Sequence, residues 1–501
     1  MNERQKFSRD LVWIATAQTL YFFLVGIVTL PALTKSYTTD IYGVWVQVRI
    51  TVVLLAPVLT LQLGIALVRF LAAEESVEKR RQAFGAMLWP VLVFACLVVI
   101  MSELLSKNLS AFLFGSPFYS SFVPLAFLWA SLEALFTFFI YYLRAREKIK
   151  TISVVQIAFS LSSTALILIL ATAGYSLEWV IASVIAAEAL FVAVFFGMIV
   201  RDLGFPKPNF GGLGHFLAFS VPQIPGGVLL WILNASDRYF IAHLINLSQA
   251  GIYSASYTLG SLLSLFVNPI NFVLFPTITK FWEQNEPSRV RSYLEYSTKL
   301  FLTLAIPGAV GLYMLSQPLL KILTTSEYAV GASLVLLIAL GITLYGVYQI
   351  NVWVIYLIKK TKWLPLMIGV AAAANAGINI ALIPRYGIMG AAISTIVSYF
   401  VLATIMTIWA MRVVHYKLDY SFLSKIVVAS LAMALCLRFI KVNGALSIFS
   451  AVIAGGTTFV LGLFVLRAFS KQDQKLVKEA IAGLNPALWI KGLGKKKSSD
   501  R

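Results

Sequence analysis

The segment that decides the fold is PQIPGGVLLWILNASDRYFIAHLINLSQAGIYSASYTLGSLLSLFVNPINFVLFPTITK, residues 222–280, in which two long apolar runs retain polar residues. The second run has a polar residue at every third or fourth position, which places all of them on one face of an α-helix. These residues are Tyr257, Ser261, Ser264, Asn268 and Asn271. A polar face inside an apolar span needs water, protein or cargo to contact. We therefore predict that this helix lines a hydrated cavity and that the five residues bind substrate.

The first run begins with residues that loosen a helix and ends in charged ones. The loosening residues are Pro222, Pro225, Gly226 and Gly227. They predict a helix that can bend at its start. At the other end, Asp237 and Arg238 are predicted either to bind substrate or to form an ion pair at the membrane interface.

The composition is that of a polytopic membrane protein. Of the 501 residues, 59% are hydrophobic and only 12% are charged, and the mean hydropathy of +0.86 lies far above that of soluble domains. Apolar runs of about 20 residues, the length that crosses about 30 Å of hydrocarbon, occur fourteen times in the sequence. They cover 10–33, 43–68, 84–105, 117–143, 151–173, 178–200, 213–234, 249–279, 297–316, 328–357, 363–383, 387–411, 422–440 and 445–467. The sequence thus predicts an all-α membrane protein of about 14 transmembrane helices.

The basic residues are distributed unequally between the predicted loops. With the N-terminus inside, most of the 40 Lys and Arg residues fall on the cytoplasmic side, as the positive-inside tendency requires. An even number of spans then places both termini in the cytoplasm, with the protein in the cytoplasmic membrane. The net charge of +19 is mainly this topology signal, so we expect no nucleic-acid partner. In this assignment Arg238 is an outer residue, and Arg49 is the one cation left within the membrane.

The two halves of the chain match at a nearly constant offset. Ile41-Tyr42 recurs as Ile252-Tyr253, and Arg80 recurs as Arg291, each 211 residues later. Because each copy holds six spans, the copies enter the membrane in the same direction and form parallel repeats. We predict an N-terminal six-helix lobe (1–203), a cytoplasmic linker (204–213), a C-terminal six-helix lobe (214–413), two further membrane helices (414–468) and a basic amphipathic cytoplasmic tail (469–501).

Three charged residues inside apolar runs are the sharpest functional candidates. Arg49 is predicted to be a cavity cation for an anionic cargo, with snorkelling or an internal ion pair as the alternative, because a charge at mid-membrane costs about 2.5–3.5 kcal/mol and usually faces the bundle interior. Tyr42 and Trp45 share its helix face and are predicted to line the same substrate site. Glu133 and Glu188 are candidates either for coupling transport to H⁺ or Na⁺ or for pairing with Arg49.

Several motifs are absent from the sequence. It has no G-x-x-x-x-G-K-[ST] phosphate loop, no His or Cys cluster with metal-ligand spacing, and none of the catalytic motifs of soluble enzymes. We expect neither an enzyme nor a metal site or other cofactor.

Two motifs stand out along the chain, GINIALIPRYGIMGAAISTIVSY, residues 377–399, and SDRYFIAHLINLSQAGIYSASYTLG, residues 236–260. They resemble motifs of the Wzx-type polysaccharide flippases, which belong to the multidrug/oligosaccharidyl-lipid/polysaccharide exporter superfamily. The resemblance extends over essentially the whole chain and implies a V-shaped pair of six-helix lobes. It also implies that Arg49 is a cavity cation and that Asp237, Arg238, Ile252 and Tyr253 belong to the family's signature around spans seven and eight.

The function implied by this resemblance is the translocation of a polyprenyl-(di)phosphate-linked oligosaccharide from the inner to the outer leaflet by alternating access, in cell-surface polysaccharide or glycan biosynthesis. The expected partners are that lipid-linked cargo, membrane lipids, and the glycan polymerase or glycosyltransferases of the same pathway. Membrane potential, H⁺ or Na⁺ would supply the energy. The alternatives are a drug/cation antiporter of the same superfamily and a lipid II flippase.

Overall fold

A computed structural model describes residues 3–72, 74–442 and 444–468 of the chain. Every regular element within these ranges is a helix, and 14 helical segments among them are long and apolar enough to cross a membrane. The predicted all-α class and the number of spans are therefore confirmed. The predicted basic tail, 469–501, lies outside the described residues.

The membrane-spanning segments are numbered span 1 to span 14 in chain order. They are Val12–Ser36, Thr39–Leu59, Val77–Leu104, Phe122–Ala145, Ile149–Thr172, Leu177–Leu203, Leu213–Leu244, Leu247–Glu283, Pro287–Leu323, Ser326–Leu357, Thr361–Tyr386, Ile388–Val414, Tyr420–Arg438 and Leu446–Val465. The helix that enters span 1 begins at Glu3. Two short helices, Leu63–Leu71 and Ser106–Phe114, follow spans 2 and 3.

Three spans are interrupted by turns of different helical pitch. Span 1 contains a π-helical segment at Phe22–Val28, and span 8 contains a 3₁₀ turn at Ser261–Leu263. Span 7 has a 3₁₀ turn at Val221–Gln223, where Pro222 removes a backbone donor from the helical ladder. The predicted irregularity at the start of span 7 is therefore present.

The helices pack mainly within the two halves of the chain. In the N-terminal half, span 4 packs against spans 2, 3 and 6. In the C-terminal half, span 12 packs against spans 10 and 11, while spans 13 and 14 pack against each other and against span 9. Large side chains such as Phe84 and Phe138 are buried in the first half, and Tyr399 and Phe301 are buried in the second. One apolar core cluster includes residues of both halves.

The two halves meet where span 2 crosses spans 7 and 8. A methyl group on Gly43 would lie 2.2 Å from the carbonyl oxygen of Leu247, and one on Gly251 would lie 2.7 Å from that of Thr39. Glycine lets the two backbones approach this closely. The hydroxyl of Ser248 also donates to that of Thr39 at 2.6 Å. The halves are therefore in tight contact at the predicted outer side.

The linker between the halves lies against span 3. The Nε1 of Trp89 donates to the carbonyl oxygen of Pro206 at 3.0 Å, and a methyl group on Gly85 would lie 2.6 Å from the carbonyl oxygen of Lys207. The connection that joins the two bundles is thus held on the surface of the first one.

Candidate transport site

Span 2 carries Arg49 into the middle of the membrane-spanning region. Ten residues separate Arg49 from the start of the helix at Thr39, about 15 Å at 1.5 Å per residue. Its Nη2 donates to the hydroxyl of Tyr21 at 3.3 Å, and its guanidinium carbon lies 5.3 Å from the centroid of the Trp129 ring. Both of these partners are neutral, and the Arg49 side chain is half-buried. Among the described residues, Arg49 therefore makes no direct ion pair, and part of its side chain is exposed.

Trp129 on span 4 connects Arg49 to a buried acid. Its Nε1 donates to Oε2 of Glu188 at 2.7 Å, and Glu188 on span 6 is fully buried. Trp45 packs on the other side, with ring centroids 5.6 Å apart. Trp45 is itself buried, so it supports Trp129 and does not line an open cavity. Arg49, Trp129 and Glu188 form one contact chain across spans 2, 4 and 6.

Glu133, the second predicted acid, lies at a cavity inside the N-terminal bundle. The cavity, of about 380 Å³, lies between spans 1, 4 and 5. It extends from Arg144, beside the loop that joins spans 4 and 5, to Glu133 and Tyr21 at mid-span. Glu133 accepts a hydrogen bond from the Thr137 hydroxyl at 3.3 Å. The candidate coupling acid thus lines this cavity, as does Tyr21, the hydrogen-bond partner of Arg49.

The second charged cluster lies in the C-terminal half, on span 7. Nη1 of Arg238 donates to Oδ1 of Asp237 at 2.7 Å, and the two side chains are only 7% and 4% exposed. The same nitrogen donates to the backbone oxygen of Asn234 at 2.7 Å. This is a buried, self-neutralised ion pair.

The position of this pair corrects two predictions. The helix of span 7 continues to Leu244, so Arg238 lies about 9 Å inside it at 1.5 Å per residue. Assigning Arg238 to an outer loop was therefore wrong, as was naming Arg49 the one cation within the membrane. The physical reason is that Asp237 neutralises Arg238 within the helix, which lets an apolar span continue past two charged residues.

Hydroxyl groups from two neighbouring spans complete the coordination of Asp237. The Tyr253 hydroxyl on span 8 donates to Oδ2 of Asp237 at 2.5 Å, and the Thr395 hydroxyl on span 12 donates to the same oxygen at 3.3 Å. Both carboxylate oxygens are therefore hydrogen-bonded. The pair ties spans 7, 8 and 12 together in the middle of the C-terminal bundle.

Aromatic rings cover the guanidinium of Arg238. Its Cζ lies 3.9 Å from the centroid of Tyr257, within the range of a cation–π contact, and 5.4 Å from that of Tyr253. The hydroxyl of Tyr257 lies 3.3 Å from that of Tyr399, which donates to Oδ1 of Asn234 at 2.6 Å. Tyr257, a predicted substrate residue, thus belongs to the shell of Arg238.

The two clusters are joined across the boundary between the halves. Nε2 of Gln47 on span 2 donates to the backbone oxygen of Arg238 at 3.1 Å, and Nε1 of Trp231 donates to the backbone oxygen of Ile50 at 2.9 Å. The hydroxyls of Thr51 and Tyr239 lie 2.5 Å apart. These contacts hold the helix turns on both sides of Arg49 against span 7.

The predicted polar face of span 8 is divided by the 3₁₀ turn. Two of its hydroxyls bond to their own helix, from Ser261 to the oxygen of Thr258 at 2.8 Å and from Ser264 to that of Ser261 at 2.7 Å. Local bonds of this kind compete with the helical ladder. These two side chains remain half-buried, and Asn268 is exposed. This segment therefore presents a polar surface outside the protein core.

Two further predicted substrate residues have protein partners. Oδ1 of Asn271 accepts a hydrogen bond from Nε1 of Trp353 at 3.0 Å, which joins spans 8 and 10. Tyr42 is buried and packs edge-to-face on Tyr328 with ring centroids 5.9 Å apart. Both contacts hold helices together in this conformation.

Sequence patterns did not identify several members of the site. Trp129, Thr395 and Tyr399 each contact a charged group or its shell, yet each lies in an apolar run where its residue type is common. Gln47, by contrast, is recognisable from the sequence, because it is an amide in an otherwise apolar segment two residues before Arg49. Among the described residues, no group of three His, Cys, Asp or Glu side chains is placed to hold a metal ion.

Comparison with known proteins gives the chain its family and its fold neighbours. The family model described as "Polysaccharide biosynthesis protein" matches residues 38–333, a range that contains Arg49, Glu133, Glu188 and the Asp237–Arg238 pair. Two curated relatives come from Haloferax volcanii. "Probable low-salt glycan biosynthesis flippase Agl15" is 22% identical over 55% of this chain, and "Probable flippase AglR" is 26% identical over 49% of it. The matches cover 61% and 53% of those two proteins, little more than half of their length.

A solved structure shares the fold over nearly the whole chain. "Lipid II flippase MurJ, inward closed conformation" superposes with a TM-score of 0.76 and 16% identity, over 91% of this chain and 98% of that one. At this identity the likeness concerns the fold alone. Because the family model covers more than half of its residues, the chain belongs to the polysaccharide biosynthesis protein family.

Proposed function

We propose that this protein is a flippase that translocates a polyprenyl-(di)phosphate-linked oligosaccharide from the inner to the outer leaflet of the cytoplasmic membrane by alternating access. It would serve cell-surface polysaccharide or glycan biosynthesis and would carry out no covalent reaction. Family membership supports this proposal. So do the names of the two Haloferax volcanii relatives, since both names contain the word flippase and one of them also refers to glycan biosynthesis.

The observation that carries the proposal is the half-buried Arg49 at mid-membrane. Its direct contacts, the Tyr21 hydroxyl and the Trp129 ring, do not neutralise it. A guanidinium presents several donors in a fixed plane that matches the oxygens of a phosphate group. A cation held in this way suits a diphosphate that must leave water to cross the membrane.

The sugar part of the cargo poses the second physical problem. A polar group that enters an apolar environment without a hydrogen-bond partner costs several kcal/mol, and an oligosaccharide carries many hydroxyls. The segment of span 8 with Ser261, Ser264 and Asn268 offers polar side chains outside the core. The polyprenyl chain has no such cost and would stay in the lipid while the head group moves between the lobes.

The contacts between the halves define which parts must move. Spans 2 and 8 are closed over each other at Gly43 and Gly251 on the predicted outer side. Opening to that side requires these helices to separate and the bond between Ser248 and Thr39 to break. The hydrogen bonds from Gln47 and Thr51 to span 7 would break in the same step and be replaced by others.

Charge movement can supply energy for the cycle. A diphosphate of about two negative charges that moves outward across an inside-negative membrane gains about 2.3 kcal/mol per charge for each 100 mV. We propose membrane potential as one driving force. Coupling to H⁺ or Na⁺ at Glu133 and Glu188 is the second candidate.

The cellular setting is part of the proposal. The excess of Lys and Arg in the loops after even-numbered spans would place both termini in the cytoplasm. Glycosyltransferases that build the lipid-linked oligosaccharide would then act on the inner side, and a glycan polymerase would act on the outer side. These enzymes are the proposed functional partners, together with the membrane lipids.

The test is translocation of a fluorescent polyprenyl-diphosphate oligosaccharide in proteoliposomes. We expect transport by the wild type, a loss of about 10- to 100-fold in Arg49→Ala, since a hydrogen bond to a charged group contributes about 1.5–3 kcal/mol, and partial activity in Arg49→Lys. Lys107→Ala, on an exposed residue of the helix Ser106–Phe114, is the control and should match the wild type.

Three results would contradict the proposal. Arg49→Ala could transport as fast as the wild type, which would remove Arg49 from the site. The wild type could leave lipid-linked sugars in place and exchange a cationic dye for protons or sodium, which would indicate a drug/cation antiporter. A strong preference for lipid II over other lipid-linked sugars would indicate a lipid II flippase.

A further inference from the structure

The buried Glu188 has an oxygen that no described group satisfies. Oε2 accepts the hydrogen bond from Trp129 at 2.7 Å, but Oε1 has no hydrogen-bond donor in the part of the chain that the structure describes. A buried polar atom without a partner costs about 1–3 kcal/mol. We therefore expect a hydrogen-bond donor to this oxygen in at least one state of the protein.

A second carboxyl lies beside this group. Glu133 is one helical turn from Trp129, the donor to Glu188, on span 4, and its charge acts on Glu188. Two ionised carboxylates have only acceptors to offer each other. A single proton between them converts this repulsive contact into an O–H···O hydrogen bond. The same proton would give the unsatisfied oxygen of Glu188 its partner.

The proton would have a route to this position. Glu133 lines the cavity of about 380 Å³ that reaches the loop between spans 4 and 5. Gln18, Thr137 and Gln156 line the same cavity, so water inside it finds several polar partners. On the predicted topology this route opens to the cytoplasm. Glu188 itself is fully buried and does not line the cavity, so Glu133 would be the first acceptor.

The charges around the carboxyl pair determine what a proton would change. Among the described residues, Glu133 and Arg49 are the charged groups that act on Glu188. The direct partners Tyr21 of Arg49 and Trp129 of Glu188 are neutral. Together with Arg49, the cluster has a net charge of about −1, 0 or +1 when the pair holds no proton, one proton or two. Each added proton leaves more of the charge of Arg49 available to an anion.

We infer that Glu133 and Glu188 form a proton-binding site, loaded through the intralobe cavity from the predicted inner side, whose occupancy sets how strongly Arg49 attracts the anionic head group. The binding step transfers one proton from water to a carboxylate and involves no oxidation. The inference about the proton site stands on the cavity and the carboxyl pair, whereas its effect on cargo rests on the proposed flippase function. By linkage, proton uptake would tighten cargo binding, and cargo binding would promote proton uptake.

The proton site is tested by infrared difference spectroscopy on the purified full-length protein, titrated between alkaline and acidic buffers. The wild type should gain a carboxylic-acid carbonyl band at a frequency typical of a buried carboxyl group. Glu188→Gln and Glu133→Gln should each remove it. Glu103→Gln, on an exposed acid at the end of span 3, should leave it unchanged. Size-exclusion profiles that match the wild type would show that the Gln variants are folded.

The effect on cargo is tested by the binding of a farnesyl-diphosphate-linked sugar, whose diester phosphates do not titrate near neutral pH. Its dissociation constant should fall as the pH is lowered, by at most about tenfold per pH unit for one linked proton. In the Glu133→Gln, Glu188→Gln double variant this pH dependence should disappear, with tight binding at every pH.

Three outcomes would overturn the inference. The buried carboxyl band could persist in both Gln variants, or it could be missing in the wild type. Sodium could remove the band at constant pH, which would assign the site to a metal cation. Failure of the flippase proposal alone would give a different result. The carboxyl band would still appear on acidification, but the protein would move no lipid-linked sugar.

Discussion

The cluster at Arg49 and the cluster at Arg238 use the same residue types in opposite ways. Each contains an arginine, a carboxylate and an aromatic ring inside the membrane. Around Arg238 the ion pair is closed, with both oxygens of Asp237 hydrogen-bonded and side chains only 7% and 4% exposed. Around Arg49 the guanidinium is half-buried, and one oxygen of Glu188 lacks a donor in the described part of the chain. The first cluster is fully paired and the second is not.

This difference indicates a structural role for the cluster at Arg238 and a ligand- or proton-binding role for the cluster at Arg49. In a satisfied buried ion pair, no donor or acceptor is left to bind a ligand. Removing one partner leaves an uncompensated charge. An incompletely paired cluster beside a polar cavity can exchange protons, water or ligand atoms at low cost. We therefore assign the stability of the C-terminal bundle largely to the cluster at Arg238, and the proposed transport chemistry to the cluster at Arg49.

The strongest test of this contrast compares Asp237→Ala with Glu133→Ala. Asp237→Ala should lower the free energy of unfolding by about 3–5 kcal/mol, because it leaves the charge of Arg238 buried and unpaired. Glu133→Ala removes a side chain that already contacts a cavity, and it should cost about 1 kcal/mol or less. The measurement is the unfolding transition of both purified variants in the same detergent.

A double variant serves as the control for Asp237→Ala. Asp237→Leu combined with Arg238→Met removes both charges at similar volume and should recover much of the lost stability. Equal destabilisation by Asp237→Ala and Glu133→Ala would contradict the contrast between the two clusters.

A smaller effect is expected from Trp129→Phe, which keeps an aromatic ring beside Arg49 but removes the donor to Glu188. The second oxygen of Glu188 then loses its partner in a fully buried position. We expect a loss of about 1–3 kcal/mol in the free energy of unfolding and weaker transport. Chemical unfolding and the proteoliposome assay measure the two effects.

Trp89→Phe is the matched control for this change. Trp89 also donates through Nε1, to the backbone oxygen of Pro206 at 3.0 Å, but its side chain is half-buried beside the linker. Water can replace that bond, so Trp89→Phe should cost less than Trp129→Phe. The reverse order would mean that the bond between Trp129 and Glu188 contributes little.

The spans and the cluster at Arg49 could be predicted from sequence because the membrane makes them conspicuous. A run of about 20 apolar residues has few other uses, and a charge within such a run stands out against it. Arg49, Glu133 and Glu188 stand out in this way. In the structure Arg49 contacts Trp129, which donates to Glu188, and Glu133 lies one helical turn from Trp129. Their transport roles remain predictions.

The cluster at Arg238 was misplaced because its charges cancel locally. Adjacent Asp and Arg residues look like the end of an apolar run, whereas the structure continues the helix to Leu244. Its partners Thr395 and Tyr399 lie more than 150 residues away along the chain, and only the packing of span 12 against span 7 brings them there. Sequence periodicity describes one helix at a time, so it cannot show which distant hydroxyl will meet a carboxylate.

The smallest predicted effect comes from Thr395→Val, at the edge of the Arg238 cluster. The Thr395 hydroxyl reaches Oδ2 of Asp237 at 3.3 Å, while the Tyr253 hydroxyl already donates to that oxygen at 2.5 Å. Losing the longer of two bonds should cost about 0.5–1.5 kcal/mol, measured by chemical unfolding. Thr407→Val on the same span is the comparison. Its hydroxyl accepts a bond from Nδ2 of the buried Asn351 at 3.0 Å, and no other acceptor for that amide nitrogen is seen among the described residues, so this change should cost more, about 1–3 kcal/mol. If Thr395→Val proved the more damaging of the two, the carboxylate of Asp237 would depend on every one of its donors, and the cluster at Arg238 would be less completely satisfied than its geometry indicates.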